Sequence, residues 1–129
     1  LWGLAFIMKR SAWFAAGGMD EEFIGYGAEE TDFGQRLRSA GIGLQWLGGT
    51  LAFHQHHAVH KPPLQHFDSI LRNAALFRNK WGEWCMDYWL DAFEKAGYIA
   101  RSGDRIECLR RPSAAEIAEA RQPAEVRFS

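Results

Sequence analysis

Charge of one sign is what this chain most clearly lacks: fifteen Lys and Arg face sixteen Asp and Glu, a net charge of −1 with histidine neutral. That balance removes the basic footprint of a protein that binds nucleic acid or anionic lipid, so no nucleic-acid partner is expected. Cysteine is scarce too. Cys85 and Cys108 are too few for a disulfide scaffold and form no CxxC pair for a metal, so they read as reduced thiols in a cytoplasmic setting. Long apolar runs are also missing. The stretch Leu4, Ala5, Phe6, Ile7, Met8 falls far short of the ~20 residues that cross a bilayer. The start of the chain lacks the layout of a signal peptide, and no Met precedes Leu1. We therefore expect a piece of a longer polypeptide, with any membrane association left to segments outside it.

What is present suits one core. Of 129 residues, 47% are apolar, enough for a single domain, and the aromatics (nine Phe, six Trp, three Tyr) and thirteen Gly are conspicuous. Glycine pairs punctuate the first half, whereas the second half is helical in its patterning. Residues 4–8 read as a buried strand, and residues 12–16 as a short helix capped by Ser11 and ended at Gly17. Phe33 and Leu37, four apart with Gly41 behind them, predict a helix over 29–40. Residues 44–47 and 50–53 flank Gly48 and Gly49 as two short strands. The stripes Phe67, Ile70, Leu71, Ala74, Phe77, Trp81 and Met86, Trp89, Leu90, Phe93 predict two helices ending near Gly82 and Gly97. Beyond them, residues 105–109 read as a strand, 114–121 as a helix capped by Ser113, and the last eight residues as frayed. The fold class expected is mixed α/β, a short mixed sheet with packed helices and a helical C-terminal segment.

Two clusters carry chemistry. Glu29, Glu30 and Asp32 fall in the first turn of a predicted helix, directly after Gly25, Tyr26, Gly27 and Ala28. Carboxylates there interact with the unpaired N–H groups and the helix dipole, which is a purely structural use. The functional use is that small residues let a substrate approach, one carboxylate acting as general base while its neighbour orients a hydroxyl. Glu29 and Glu30 point about 100° apart on a helix, so they cannot do the same job. The second cluster is His54, His56, His57 and His60, crowded into seven residues beside Pro62 and Pro63, where imidazoles suit a transition metal. In an extended chain His54 and His56 share a side and His57 points the other way. His66 reads as an ordinary surface or boundary residue.

Four segments in order, Phe6-Ile7-Met8-Lys9-Arg10-Ser11, Gly17-Gly18-Met19-Asp20-Glu21-Glu22-Phe23, Gly25-Tyr26-Gly27-Ala28-Glu29-Glu30-Thr31-Asp32-Phe33 and Phe53-His54-Gln55-His56-His57, carry a resemblance. Over about residues 3–100 the chain resembles the C-terminal, acceptor-side half of the inverting GT-A glycosyltransferases, the family 2 and galactosyltransferase-like group. The resemblance implies a partial GT-A fold and makes Glu30, where the family usually has Asp, the base that deprotonates an acceptor hydroxyl. It places substrate at Tyr26, Gly27, Glu29, Thr31 and Asp32, with Asp32 in a supporting role. It makes His54 a ligand for a divalent metal, Mn2+ or Mg2+, with His56 and more remotely His57 beside it. It implies a nucleotide-sugar donor and a carbohydrate or other hydroxyl acceptor as partners.

On that reading residues 1–57 form the acceptor-side catalytic portion, 58–66 a His/Pro loop able to act as a lid, 67–100 a helical pair and 101–129 a C-terminal extension. The family's nucleotide-binding half carries a DxD-type motif, and no DxD occurs in this chain. The resemblance therefore implies a missing N-terminal half and no activity for the chain alone. The alternatives are a histidine-rich metal-binding module and a degenerate sugar-binding module without catalysis. Exposed apolar surface would also allow a homodimer.

Overall fold

The computed structural model describes residues 5–49, 51–55, 57–123 and 125. Its largest core is built where the hydrophobic period is clearest. A 3-10 turn (Leu64–His66) leads into α3 (Phe67–Trp81), which buries Phe67, Ile70, Ala74 and Phe77 along one stripe. The following helix α4 (Asp87–Lys95) buries Leu90 and Phe93 against it. Phe67, Phe93 and Tyr98 meet at the centre, with ring centroids 5.0, 5.8 and 6.5 Å apart in edge-on contacts. Each such fully buried side chain contributes roughly 1.5–3 kcal/mol. The chain then forms β1 (Ile99–Ser102) and β2 (Arg105–Cys108), an antiparallel hairpin in register Ile99 to Cys108 and Ser102 to Arg105. Last comes α5 (Ala114–Glu119), where Ser113 and Glu116 form a reciprocal capping box.

The N-terminal part is smaller. Helix α1 (Arg10–Ala16) and α2 (Glu29–Ser39) enclose Ala16, Phe33 and Leu37, with Met8, Trp13, Met19 and Ile42 at the margin. A third cluster of Phe23, Ala28, Phe77 and Cys85 joins this part to α3. Helices α2 and α4 end alike. Gly41 and Gly97, both at positive φ, donate to the carbonyls of Arg38 and Glu94, and the next residues, Ile42 and Tyr98, donate to Leu37 and Phe93.

The mixed α/β class is as expected, but the sheet lies elsewhere. Residues 5–8 and the described residues of 44–53 form no strand, and the two-stranded hairpin is the one sheet among the described residues. The reason is physical: a strand without a ladder partner leaves its backbone groups to water. Their apolar side chains lie exposed, Ile7 at 91%, Trp46 at 94% and Phe53 at 96%. Thr50 lies outside the described residues. Ser11 sits within α1 rather than capping it, because the helix begins at Arg10 behind Lys9. The His/Pro loop is not irregular throughout. Gln122 donates its N–H to the Val59 carbonyl (2.7 Å), Lys61 to that of Ala120 (2.9 Å), and Pro63 and Leu64 are buried. These ties anchor residues 59–64. No helix among the described residues is long and apolar enough to cross a membrane.

One buried carboxylate links these parts. Asp32 in α2 is fully buried. Its Oδ1 accepts from Trp81 Nε1 (2.8 Å) and pairs with Lys80 Nζ (2.7 Å), while Oδ2 accepts from Arg36 Nε (2.9 Å). Arg36 and Lys80 also reach Asp20 at 3.3 and 2.5 Å. The Lys80 hydrogen bond, ahead of one from the Glu22 N–H, holds the Asp20 carboxyl below its ordinary range. Removing one member of a buried pair costs ~3–5 kcal/mol, and here solvent partly relieves the stranded cations. Asp32→Asn is therefore expected to cost about 2 kcal/mol in urea unfolding. Asp68→Asn, whose Arg111 partner is as exposed as itself, should cost less than about 1 kcal/mol. Equal losses would remove Asp32 from this linking role.

Candidate functional site

The approach to α2 is a backbone loop with little choice of residue. Gly25 and Gly27 take φ of 89° and 97°. A Cβ on Gly25 would stand 2.8 Å from Ser69 Cβ, and one on Gly27 2.5 Å from Met86 Sδ. Glycine alone satisfies both the angle and the space. Ala28 then adopts φ 75°, a left-handed conformation costing about 1–2 kcal/mol for a residue with a Cβ. That strain is held in place by burial of Ala28 and by its carbonyl, which accepts the Asp32 N–H at 2.8 Å.

What fixes the loop is a polar residue inside an apolar stripe. Asn73 is fully buried, and its Nδ2 donates to the Gly27 carbonyl at 2.8 Å, with those of Ile24 and Tyr26 at 3.3 and 3.4 Å. Arg72 donates to the Ile24 carbonyl and, through Nε at 3.3 Å, to Asn73 Oδ1. The Tyr26 ring consequently lies against α3 and α4. It stacks on His66 with centroids 4.3 Å apart and planes 11° from parallel, and it tilts against Trp89 at 5.4 Å. Burial lowers the His66 pKa, with a smaller contribution from His60. The charged form of the imidazole on the Tyr26 ring is therefore disfavoured.

The first turn of α2 distributes the acidic side chains. Glu29 is half-buried, and its Oε2 is sealed from water with no hydrogen-bond partner among the described residues. A carboxylate oxygen in that state costs ~1–3 kcal/mol. Its field is felt on two sides. The Tyr26 phenol is pushed up by burial first, then by Glu29 and Glu30, and the Cys85 thiol is pushed up to about 12, chiefly by burial and Asp87, with Glu29 adding. Glu30 makes no hydrogen bond or ion pair with another described residue.

Tyr26, Gly27, Glu29 and Glu30 thus share one place, while the other candidates stand apart. Thr31 lines an open cleft along α2 whose lining does not include Tyr26, Glu29 or Glu30. Asp32 is enclosed by Arg36, Lys80 and Trp81 and supports the turn from within. His54 and His57 lie on an exposed extended stretch with ring centroids 5.2 Å apart, and His57 Nδ1 is 3.1 Å from the Ala58 carbonyl. His56 lies outside the described residues. Among the described residues no group of three or more His, Cys, Asp or Glu is placed to hold a metal ion, so those present do not make a metal site unaided. His66, Arg72, Asn73, Met86 and Trp89 were not singled out for the site from sequence. Asn73 was legible in principle, since it interrupts the apolar period of α3 three residues after Ile70 and four before Phe77.

The coupling between Tyr26 and its acidic neighbours has a pH signature. Ultraviolet titration should show the phenols of Tyr26 and Tyr98 ionising above 10, that of Tyr98 raised by burial and then by Glu116. Because folding raises the Tyr26 pKa, the associated stability is complete below pH 10 and is lost as pH rises through the folded value. Glu29→Gln should move the Tyr26 step down and leave that of Tyr98. An unchanged curve would separate Glu29 from Tyr26.

Residues 1–61, a little under half of the chain, match a family model described as the N-terminal domain of galactosyltransferase. No curated protein and no solved structure matches the chain. The family description names an N-terminal domain, not the C-terminal half expected from the motifs, and it does not extend to family 2 or the GT-A fold. The matched segment contains α1, α2 and the loop that carries Tyr26, Glu29 and Glu30, and it supports a galactosyltransferase-like glycosyltransferase.

Proposed function

We propose that this chain supplies the acceptor side of an inverting glycosyltransferase and that Glu30 is its general base. The observation that carries the proposal is the pairing of two adjacent carboxylates in different states beside a locked aromatic residue. Glu29 has Oε2 closed off, which fixes the carboxylate, and its other oxygen is the one to accept a hydrogen bond from a hydroxyl that stays in place. Glu30 is engaged by no neighbour and can take a proton. Tyr26, fixed on His66 and against Trp89, gives an apolar edge for a sugar ring.

The reaction follows from those roles. An acceptor hydroxyl gives its proton to the Glu30 carboxylate, and its oxygen attacks the anomeric carbon of a nucleotide-activated sugar from the face opposite the leaving group. The bond from that carbon to the diphosphate breaks, the diphosphate departs with the electron pair, and the anomeric configuration inverts. Glu29 holds a second hydroxyl, so the attacking oxygen is aimed rather than merely near.

Within this reading the GT-A fold, its family 2 relationship and a donor-binding half outside this chain are part of the proposal, and the chain alone would turn over poorly. A divalent cation, Mn2+ or Mg2+, would supply charge to the departing diphosphate, with His54 as one ligand and His56 as a second. The described residues complete no such site, so no step above is routed through the ion. The cytoplasmic setting belongs to the same proposal.

Glu30→Gln tests the assignment. Assayed with a nucleotide-sugar donor in the enzyme that carries this chain, the variant should lose roughly 10²–10⁴-fold in kcat with donor KM little changed. Near-normal turnover would remove Glu30 from the base role. If Glu29→Gln instead produced the larger kcat loss, the two roles would be reversed.

A further inference from the structure

The cleft along α2 that Thr31 lines is not used by the mechanism above. Thr31, Gly34, Gln35 and Arg38, at three- and four-residue steps, form one wall, and residues 41–44 form the other, around a volume of about 550 Å3. That size is in the range of small-ligand sites. Its polar groups are unequal. Gln35 is committed through Nε2 to Glu83 Oε1 at 2.6 Å, while the exposed Arg38 makes no hydrogen bond or ion pair with another described side chain. Arg36 is held by Asp20 and Asp32, Arg101 by Asp87, Asp91 and Glu94, and Arg110 by Glu116, whereas Arg38, like Arg105 and Arg121, makes no such pair with another described side chain. An arginine left unpaired in a concavity beside a threonine hydroxyl presents a planar set of donors to an oxyanion.

We infer that this cleft binds an anionic group, carboxylate or phosphate, carried on a saccharide, with Arg38 as its anchor. Resting on the glycosyltransferase reading, the same helix sets the acceptor's size. Glu30 and Arg38 are eight residues apart, about 12 Å along α2, and about 80° apart around it. Gly34, between them on the cleft wall, leaves the path open. Two linked sugar rings span that distance, so the acceptor is an acidic oligosaccharide whose negative charge sits one residue away from the reacting hydroxyl. Glu83, paired with Gln35 on the cleft wall, disfavours an anion beside Gln35 and leaves the Arg38 end to it.

Binding to the chain, measured by titration calorimetry and NMR line shifts, tests this without any need for turnover. The probes are cellobiouronic acid, its neutral counterpart cellobiose, and glucose 6-phosphate. The uronic acid or the phosphate should bind at least about tenfold more tightly than cellobiose, and that advantage should weaken with salt. Arg38→Gln should abolish it and Arg38→Lys restore part of it, while circular dichroism confirms that both variants fold. Preference for the uronic acid over the phosphate ester, or the reverse, identifies the source of the anion. Equal binding of charged and neutral probes, no binding of any probe, or an advantage that survives Arg38→Gln would each overturn the inference. Glu30→Gln should leave the charged-probe advantage intact, so a failure of the general-base assignment and a failure of the anion site give different results.

Discussion

A carboxylate with no access to water must be surrounded by donors, and in this chain that demand falls on Asp32. Its donors are three residues: Arg36 one turn along α2, and Lys80 and Trp81 at the end of α3. Arg36 and Lys80 share their charge with Asp20 and thereby hold the loop that follows α1. Replacing such a set by apolar residues of similar volume can be neutral for stability, so its value lies more in specifying one arrangement than in strengthening it. The arrangement specified is the start of α2 against the end of α3. Once Asp32 is fixed inside, Glu29 and Glu30 have no freedom in where their backbones stand.

Asn73 does the complementary work from the middle of α3. By donating to carbonyls of residues 24, 26 and 27, it binds a loop whose backbone would otherwise resist this shape, with two glycines and one alanine at positive φ. The loop's donors and acceptors are consumed on the helix side, and Tyr26 is pressed onto His66 and Trp89. Strain and burial are concentrated where the proposed chemistry needs rigid positioning, and the unsatisfied Glu29 oxygen is part of the same concentration. A core built for stability alone would place a neutral side chain there.

Much of this was readable in advance because it depends on local rules. The stripes over Phe67 to Trp81 and Met86 to Phe93, the glycine exits at Gly41 and Gly97, and the Ser113 cap are set by residues within a turn or two of one another. The acidic turn was legible for the same reason. The described residues of 4–8 and 44–53 form no strand because a short apolar run bounded by turn residues fits a strand without naming its neighbours, and pairing is a property of another segment. His66 was passed over because its partner, Tyr26, is forty residues away, and stacking leaves no mark on either local pattern. Asn73 was the missed clue: a polar side chain at an apolar position signals a buried donor whose acceptors lie elsewhere.

Helix α2 divides its work by angle. With about 100° between successive residues, Asp32 faces inward to the ionic cluster, Glu29 and Glu30 face the Tyr26 loop, and Thr31 and Arg38 face the open cleft. Four neighbouring polar residues, 29–32, therefore reach three environments, which is why three acids so close in sequence do not compete for one proton or one ligand. Each role also constrains the others. Moving Asp32 by one position would rotate the whole first turn, exposing the buried charge and turning Glu30 away from the loop. The identity of this turn is thus set by the enclosed residue, and the two carboxylates that face the proposed substrate are placed by a third that never meets it.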